Sequence, residues 1–410
     1  MKILLVNRND YHKNGIDTYF FNLCRLLKEK GHKVIVFTTK DERNINREYM
    51  NYFVNKINID NLDAISLFNK ILYAPKTIYS FEAKRKLKKL LRDTKPDIVH
   101  IHHIKRLISP SILPSIKNFG LPVVCTLHDY HSICPNYRLY SKGKICEACK
   151  GNRYYNAVFK RCVRNSLPLS LLACVEQYIH SMLKIFENNV DMFIAPSNFL
   201  RQKMIENGMN PERIIHISNF VFLDNYSTEQ EFFNYIVFVG RLVKEKGLLI
   251  LVKAMKRLTN VKLLIIGEGE DRKELERLVA KEEIDNVEFK GYVPLDEIKT
   301  VIGNAMFVVV PSLCYDISPM VIYESLAMGK PVIGADIGGI PELIDNGVNG
   351  LLCKPGDAND LIDKITFFLN HKDKIFEMGK NARERTVKYY NAEIHYEKIS
   401  EVYKKLITKI

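Results

Sequence analysis

Residues 311–331 read PSLCYDISPMVIYESLAMGKP, and this stretch decides the architecture. An apolar run over 305–310 closes on Pro311 and Ser312, so a buried strand ends there and a loop begins. Met320, Val321, Ile322, Leu326 and Ala327 then fall at helical spacing, with a glycine stop at Gly329 and Pro331 just beyond. Strand, loop and helix in that order form the repeating unit of a parallel α/β sheet. Asp316 sits on the loop and Glu324 about one turn into the helix, so both carboxylates converge on whatever lies over the helix N-terminus. Backbone N–H groups at that end favour an anion such as a diphosphate, and paired carboxylates accept hydrogen bonds from neighbouring hydroxyls. Diphosphate plus polyol describes a nucleotide sugar. Taken alone, the same residues also suit an ordinary buried strand and helix with two solvated acids.

The pattern repeats on both sides of this stretch. KILLVN (2–7) precedes a helix around 18–30, Gly31 and HKVIVFTT (32–39), and further strands read DIVHIH (97–102), PVVCTLH (122–128) and DMFIAPS (191–197). In the second half the strands are YIVFVG (235–240), VKLLIIG (261–267), VEFKGYV (287–293), MFVVVPS (306–312) and PVIGAD (331–336). Two successive sets of strands and helices predict two Rossmann-like domains facing each other across a cleft, over 1–221 and 234–388. FLDNYSTEQEFF (222–233) is polar and unpatterned, which suits a linker. An amphipathic helix over 389–410 ends the chain.

The 410 residues suffice for two domains with substantial cores, and 47% apolar with 26% charged residues is a globular composition. No apolar run approaches the ~18–20 residues a membrane span needs, and no signal peptide is evident. Nine cysteines without a secretion signal argue against a disulfide framework, so the expected compartment is the cytoplasm. The net charge of +14 is uneven: residues 1–233 hold 35 Lys/Arg against 21 Asp/Glu, while 234–410 hold 26 of each. An N-terminal surface facing polyanions follows. The densest run, FEAKRKLKKLLRDTK (81–95), reads either as a surface helix with a solvated basic face or as a contact with an anionic membrane. Nucleic acid is not expected as a partner, because no recognised binding motif accompanies the charge.

Candidate site residues follow the strands. Arg241 leaves the strand 235–240 and Lys246 stands near the next helix, in Gly240-Arg-Leu-Val-Lys-Glu-Lys-Gly247. Two cations there can neutralise a leaving diphosphate; the alternative is surface charge at a strand end. Gly15, in Asn14-Gly15-Ile16, opens the first helix and either admits a phosphate to its N-terminus or is a turn glycine. His128 ends the strand 122–128, while His100, His102 and His103 belong to packing or to an acceptor site. Gly267-Glu268-Gly269 has Arg272 where a dinucleotide fingerprint needs its third glycine, so NAD is not expected. Cys134, Cys146, Cys149 and Cys162 form C-x11-C-x2-C-x12-C in a basic, irregular insert over 131–165. Structural zinc, reduced unligated thiols and a redox role all remain open for them.

These motifs carry a resemblance that covers nearly the whole chain and is densest over 235–356, including GGIPELIDNGVNGLLCKPGD. The segment 311–331 resembles the E-x7-E region of retaining glycosyltransferases of family 4, with Asp316 replacing the first glutamate and Pro319 standing where a small residue is usual. Residues 240–247 resemble the family's G-R-x-x-x-x-K-G diphosphate site. HDYHSICPNYRLY…CEAC…C is similar to an insert in a subset of polysaccharide-assembly transferases, lying near the acceptor side. The resemblance implies the α/β GT-B fold, with the terminal helix crossing back to the first domain. It implies a metal-independent hexosyltransferase working with retention. Arg241, Lys246 and Gly15 would hold the diphosphate of a UDP- or GDP-sugar, and Glu324 the ribose. Asp316 with Ile317, Ser318, Pro319, Met320 and Val321 would hold the hexose, Tyr292 would meet the base, and His128 would approach the sugar. No cofactor is required for catalysis. The acceptor would be a saccharide, lipid-linked at the inner membrane face, in cell-surface polysaccharide synthesis. Two rivals are a nucleotide-sugar epimerase of the same fold and a non-enzymatic nucleic-acid binder resting on charge alone.

Overall fold

The computed structural model describes residues 1–56, 75–228 and 232–408. Its strands form two six-stranded parallel sheets and one small hairpin. The first sheet contains β1 (Lys2–Val6), β2 (Lys33–Phe37), β3 (Ile98–Ile101), β4 (Val123–Thr126), β7 (Met192–Ala195) and β8 (Ile214–His216), in the order β2-β1-β3-β4-β7-β8. The hairpin pairs β5 (Tyr140–Ser141) with β6 (Lys144–Ile145). The second sheet contains β9 (Tyr235–Val239), β10 (Lys262–Ile266), β11 (Val287–Gly291), β12 (Val308–Val310), β13 (Val332–Ala335) and β14 (Gly350–Cys353). Their order, β11-β10-β9-β12-β13-β14, is that of a dinucleotide-binding sheet. The inner strands of both sheets are buried along most of their length, as expected where helices cover both faces.

Local sequence explains the helices that matter. Asn14 caps α1 (Gly15–Glu29) by accepting from the Ile16 N–H at 3.0 Å, and Tyr19, Phe20, Leu23, Leu26 and Leu27 form its buried stripe. In the basic helix Phe81–Thr94, Leu87, Leu90 and Leu91 are buried while Lys89 is exposed, and Lys86 Nζ turns in to donate to the Phe53 carbonyl at 2.5 Å. Such a helix suits a solvated basic face and a contact with an anionic membrane alike.

The chain's last helix begins later than the sequence suggests. Tyr389 ends the helix Lys372–Tyr389, Asn391 caps a new one, and Ala392–Ile407 is the segment that returns to the first domain. His395 Nε2 bonds Tyr19 Oη at 3.2 Å, and Tyr403 Oη bonds His100 Nδ1 at 2.6 Å. Three short elements were absent from the sequence reading: β8, β14 and the hairpin. Residues 229–231 of the expected linker and residues 409–410 of the expected terminal helix lie outside the described residues.

Candidate active site

The second sheet reverses its strand order between β9 and β12, and the loops leaving those strands carry Lys246 and Asp316. Ligands of open α/β sheets bind at such a switch point. Lys246 Nζ donates to Asp316 Oδ1 at 2.5 Å, and Ser312 Oγ donates to Asp316 Oδ2 at 2.5 Å. Burial pulls the Lys246 ammonium toward neutrality, but the adjacent Asp316 outweighs it and holds its pKa above the ordinary lysine value. Arg241 is exposed and close enough for Lys246 to feel its charge.

Two glycine positions hold the loops together. Gly247 has φ +73°, and a Cβ there would lie 1.9 Å from the Pro311 carbonyl oxygen. Only glycine lets the lysine loop approach the start of the aspartate loop so closely. Leu313 N–H donates to the Glu245 carbonyl at 2.8 Å across the same contact. Beneath Asp316, a Cβ on Gly338 (φ +65°) would lie 2.5 Å from the Asp316 carbonyl oxygen, and the Gly339 N–H donates to that oxygen at 2.7 Å.

The helix Met320–Ala327 follows with Pro319 at its N-cap and no side-chain cap, so its N-terminal donors face the cleft unclaimed by a cap. The approach to it is fixed by Ser318, whose Oγ bonds Tyr323 Oη at 2.7 Å and whose carbonyl accepts from Asn219 Nδ2 at 3.2 Å. Ile317 packs with Tyr315 against the first domain's core, and Val321 is half-buried. Glu324 is 8% exposed and has no hydrogen-bond or ion-pair partner among the described residues. Burial pushes its carboxyl up to about 7, with Lys299 opposing weakly. A buried carboxylate without donors is costly to ionise. Tyr292, by contrast, stands 75% exposed just beyond β11.

From the first domain, Gly15 starts α1 directly opposite this helix. A Cβ on Gly15 would lie 3.3 Å from Met320 Cγ, so part of what the glycine admits is the methionine of the facing domain. His128 leaves β4 partly exposed, with Nε2 3.2 Å from His102 Nδ1 and its ring edge-on to Tyr19. Burial, opposed by Asp129, pushes the His128 pKa down to about 4, so the imidazole is neutral at pH 7. His100 bridges Tyr403 and Thr126 and is structural. His102 orients His128, a pairing that exists only because β3 and β4 are neighbours. Arg138 of the insert was also missed: its guanidinium donates to Glu245 at 2.8 Å, beside Lys246.

The insert brings Cys134, Cys146, Cys149 and Cys162 to the wall of one small cavity, all four as free thiols. Cys134 Sγ bonds Asn136 Oδ1 at 2.9 Å and Lys160 Nζ bonds Cys146 Sγ at 3.1 Å, so metal ligation would require these side chains to rotate inward. Among the described residues, the three ligating side chains whose donor atoms lie within 4.8 Å of one another are His131, Glu176 and His180, all buried.

A family model described as glycosyltransferase family 4 matches residues 13–225, and one described as glycosyl transferases group 1 matches 224–385. An uncharacterised glycosyltransferase of Methanocaldococcus jannaschii is 27% identical over 391 residues, covering 95% of this chain and 94% of that protein. An uncharacterised 42.6 kDa protein in a cps region of Klebsiella pneumoniae is 26% identical over 358 residues, covering 84% and 87%. Among solved structures, Anabaena HepE in complex with UDP and glucose superposes with a TM-score of 0.68 at 18% identity, over 99% of this chain and 100% of that one.

Proposed function

The chain belongs to glycosyltransferase family 4 and has the GT-B fold, and from that premise we propose that it moves a hexose from a nucleoside-diphosphate sugar to a saccharide acceptor with retention of anomeric configuration. The observation that carries the reading is the contact between Lys246 and Asp316 over the switch point, with the unpartnered Glu324 one turn into the adjoining helix. Arg241 and Lys246 would neutralise the diphosphate as the C1–O bond breaks, a task two fixed cations perform without a metal. Glu324 would accept from the two ribose hydroxyls, whose donors relieve its burial. Asp316 and the backbone of 317–321 would hold the hexose, and Tyr292 would flank the base. The acceptor oxygen would bond C1 on the face the diphosphate leaves, its proton passing to the departing phosphate oxygen. His128, neutral and held by His102, would hydrogen-bond the sugar rather than carry charge. A UDP-hexose is the first donor to test, since the superposed Anabaena protein was solved with UDP and glucose.

The setting we assign is surface-polysaccharide assembly with a lipid-linked acceptor, supported by the relative from a cps region and the basic first half. No helix among the described residues is long and apolar enough to cross a membrane. Incubation with UDP- and GDP-hexoses and a panel of saccharide acceptors, read by NMR of the new anomeric proton, tests the reading. An α-linked product from an α-linked donor is expected. An inverted product overturns retention, and free epimerised sugar nucleotide without acceptor overturns transfer.

A further inference from the structure

The helix Leu167–Met182 carries one charged residue, Glu176, and that residue is buried. Its inner face buries Ala173, Cys174, Gln177 and His180. The outer face has no charge at all. Leu167, Leu171, Val175 and Met182 are exposed by 48%, 52%, 40% and 81%. At ~100° per residue these four positions fall within an arc of about 80°, a single stripe along one side of the helix. The stripe is extended by Phe159 and Tyr155, exposed by 79% and 48% on the turn that packs against this helix, and by Leu183 at 60%. A contiguous apolar surface of this kind on a globular protein marks a docking face.

Charge identifies the occupant. Residues 131–185 hold nine Lys/Arg and two Asp/Glu, a surplus of seven and thus half of the chain's excess of 14. Arg153, Arg161, Arg164 and Lys184 are exposed around the stripe, whereas Glu176 is buried. A second copy of this face would set Arg153, Arg161, Arg164 and Lys184 against like charges. An acidic protein would answer the rim but not an uncharged centre some 24 Å long. An anionic bilayer answers both, the apolar side chains entering the headgroup boundary while the cations meet phosphates.

We propose that this stripe and its basic rim dock the protein on an anionic lipid surface, with the helix lying in the plane of the interface. The same segment reaches the reaction centre. Tyr130 Oη donates to the Tyr315 carbonyl at 3.0 Å, Arg138 bridges to Glu245, and His131 stands 3.7 Å from Glu176 of the docking helix. Docking therefore presents the acceptor side of the cleft to a lipid-borne saccharide. That consequence rests on the transferase reading, but the binding itself does not.

The test is co-sedimentation of the full chain with phosphatidylcholine vesicles, with and without phosphatidylglycerol. Binding to the anionic vesicles, weakened by high salt, is expected. Leu171→Glu and Met182→Glu should each reduce it by roughly tenfold or more, and Arg161→Glu with Arg164→Glu should abolish the preference for anionic lipid. All of these positions are exposed, so melting temperature and nucleoside-diphosphate binding should be unchanged; Met182→Glu serves if Leu171→Glu does not fold. Equal binding by wild type and both glutamate variants overturns the proposal, as does no binding at all. A wild-type dimer made monomeric by Leu171→Glu in light scattering assigns the face to a second copy instead. Loss of donor binding in wild type would refute the transferase reading while leaving a positive sedimentation result standing.

Discussion

The donor loops of the second sheet and the cysteine insert of the first are held by different means. The donor loops are joined through backbone: Gly247 against Pro311, Leu313 against Glu245, and Gly338 and Gly339 against Asp316 and Ile317. Leu242, Val243, Glu245, Ser312 and Cys314 of these loops are buried as well. In the insert, seven of the twelve non-glycine residues with positive φ among those described occur between Tyr137 and Asn165. Ile133, Cys134 and Leu139 join the first domain's core, and beyond them the insert's apolar cluster is Cys149, Tyr154 and Ala157 packed with Cys174 of the following helix. Four thiols line one cavity wall within this segment of left-handed turns. The two regions thus differ in their fastenings: close backbone approach through glycine in one, left-handed turns around a small apolar cluster in the other.

The largest expected effect breaks the donor side alone. Lys246→Ala and Arg241→Ala should each lower kcat by roughly a hundredfold or more, because both act on charge that grows as the bond breaks. Lys142→Ala in the insert, exposed and outside these loops, should change kcat by less than about twofold. Steady-state kinetics check this, and equal losses in all three would dissolve the contrast.

Next comes Asp316. It pairs with the lysine we assign to the diphosphate, so on that reading its charge both orients Lys246 and repels the ligand. Asp316→Asn should slow turnover strongly, up to about a hundredfold if the hexose is misplaced by about 1 Å. The same change should tighten the free nucleoside diphosphate. Isothermal titration reads the second effect, and weaker binding would mean Asp316 acts only by placing Lys246. Asp316→Glu should bring no gain, since the loop is closed on the shorter side chain by Ser312.

For the insert we propose a structural zinc at Cys134, Cys146, Cys149 and Cys162. About one zinc per chain by plasma mass spectrometry is expected, lost in Cys146→Ser and Cys149→Ser. Chelation should lower the melting temperature yet leave nucleoside-diphosphate binding intact. A metal-free preparation with full activity and unchanged melting contradicts it.

The smallest effect concerns pH. Burial raises Glu324 from 4.5 to about 7. Its contribution to stability is therefore complete below the unfolded value and is lost as pH rises through about 7. Glu324→Gln should accordingly be more stable than wild type at pH 8, by up to about 3 kcal/mol of unfolding free energy, while binding donor less tightly. Wild-type donor affinity should rise between about pH 6 and 8, more steeply than in the glutamine variant. A variant no more stable than wild type at pH 8 would show Glu324 already satisfied.

Much of the fold was legible because parallel strands are buried on both faces and read as unbroken apolar runs. β8 and β14 were not, since three or four residues at a sheet edge, IIH and GLLC, give no periodicity. The terminal helix was placed early because Tyr389 and Ala392 belong to two helices separated by a cap, and a continuous amphipathic pattern hides that break. Lys246 and Asp316 were each visible as residues after strands. Their contact depends on β9 and β12 being neighbours, which residue order does not state. His102 looked like a packing residue for the same reason. The isolation of Glu324 is a property of its burial, and the exposed stripe of Leu167–Met182 looks identical in sequence to a core-facing one.

The central claim is that Arg241, Lys246 and Glu324 form one nucleoside-diphosphate site. Thermal unfolding with UDP, GDP, ADP and their hexose conjugates tests it without knowledge of the acceptor. One nucleoside diphosphate at 100 times its dissociation constant should add about 2.7 kcal/mol of stability. That gain should vanish in Arg241→Ala and Lys246→Ala and shrink in Glu324→Gln. No stabilisation by any nucleoside diphosphate, or one that all three variants retain in full, would contradict the account.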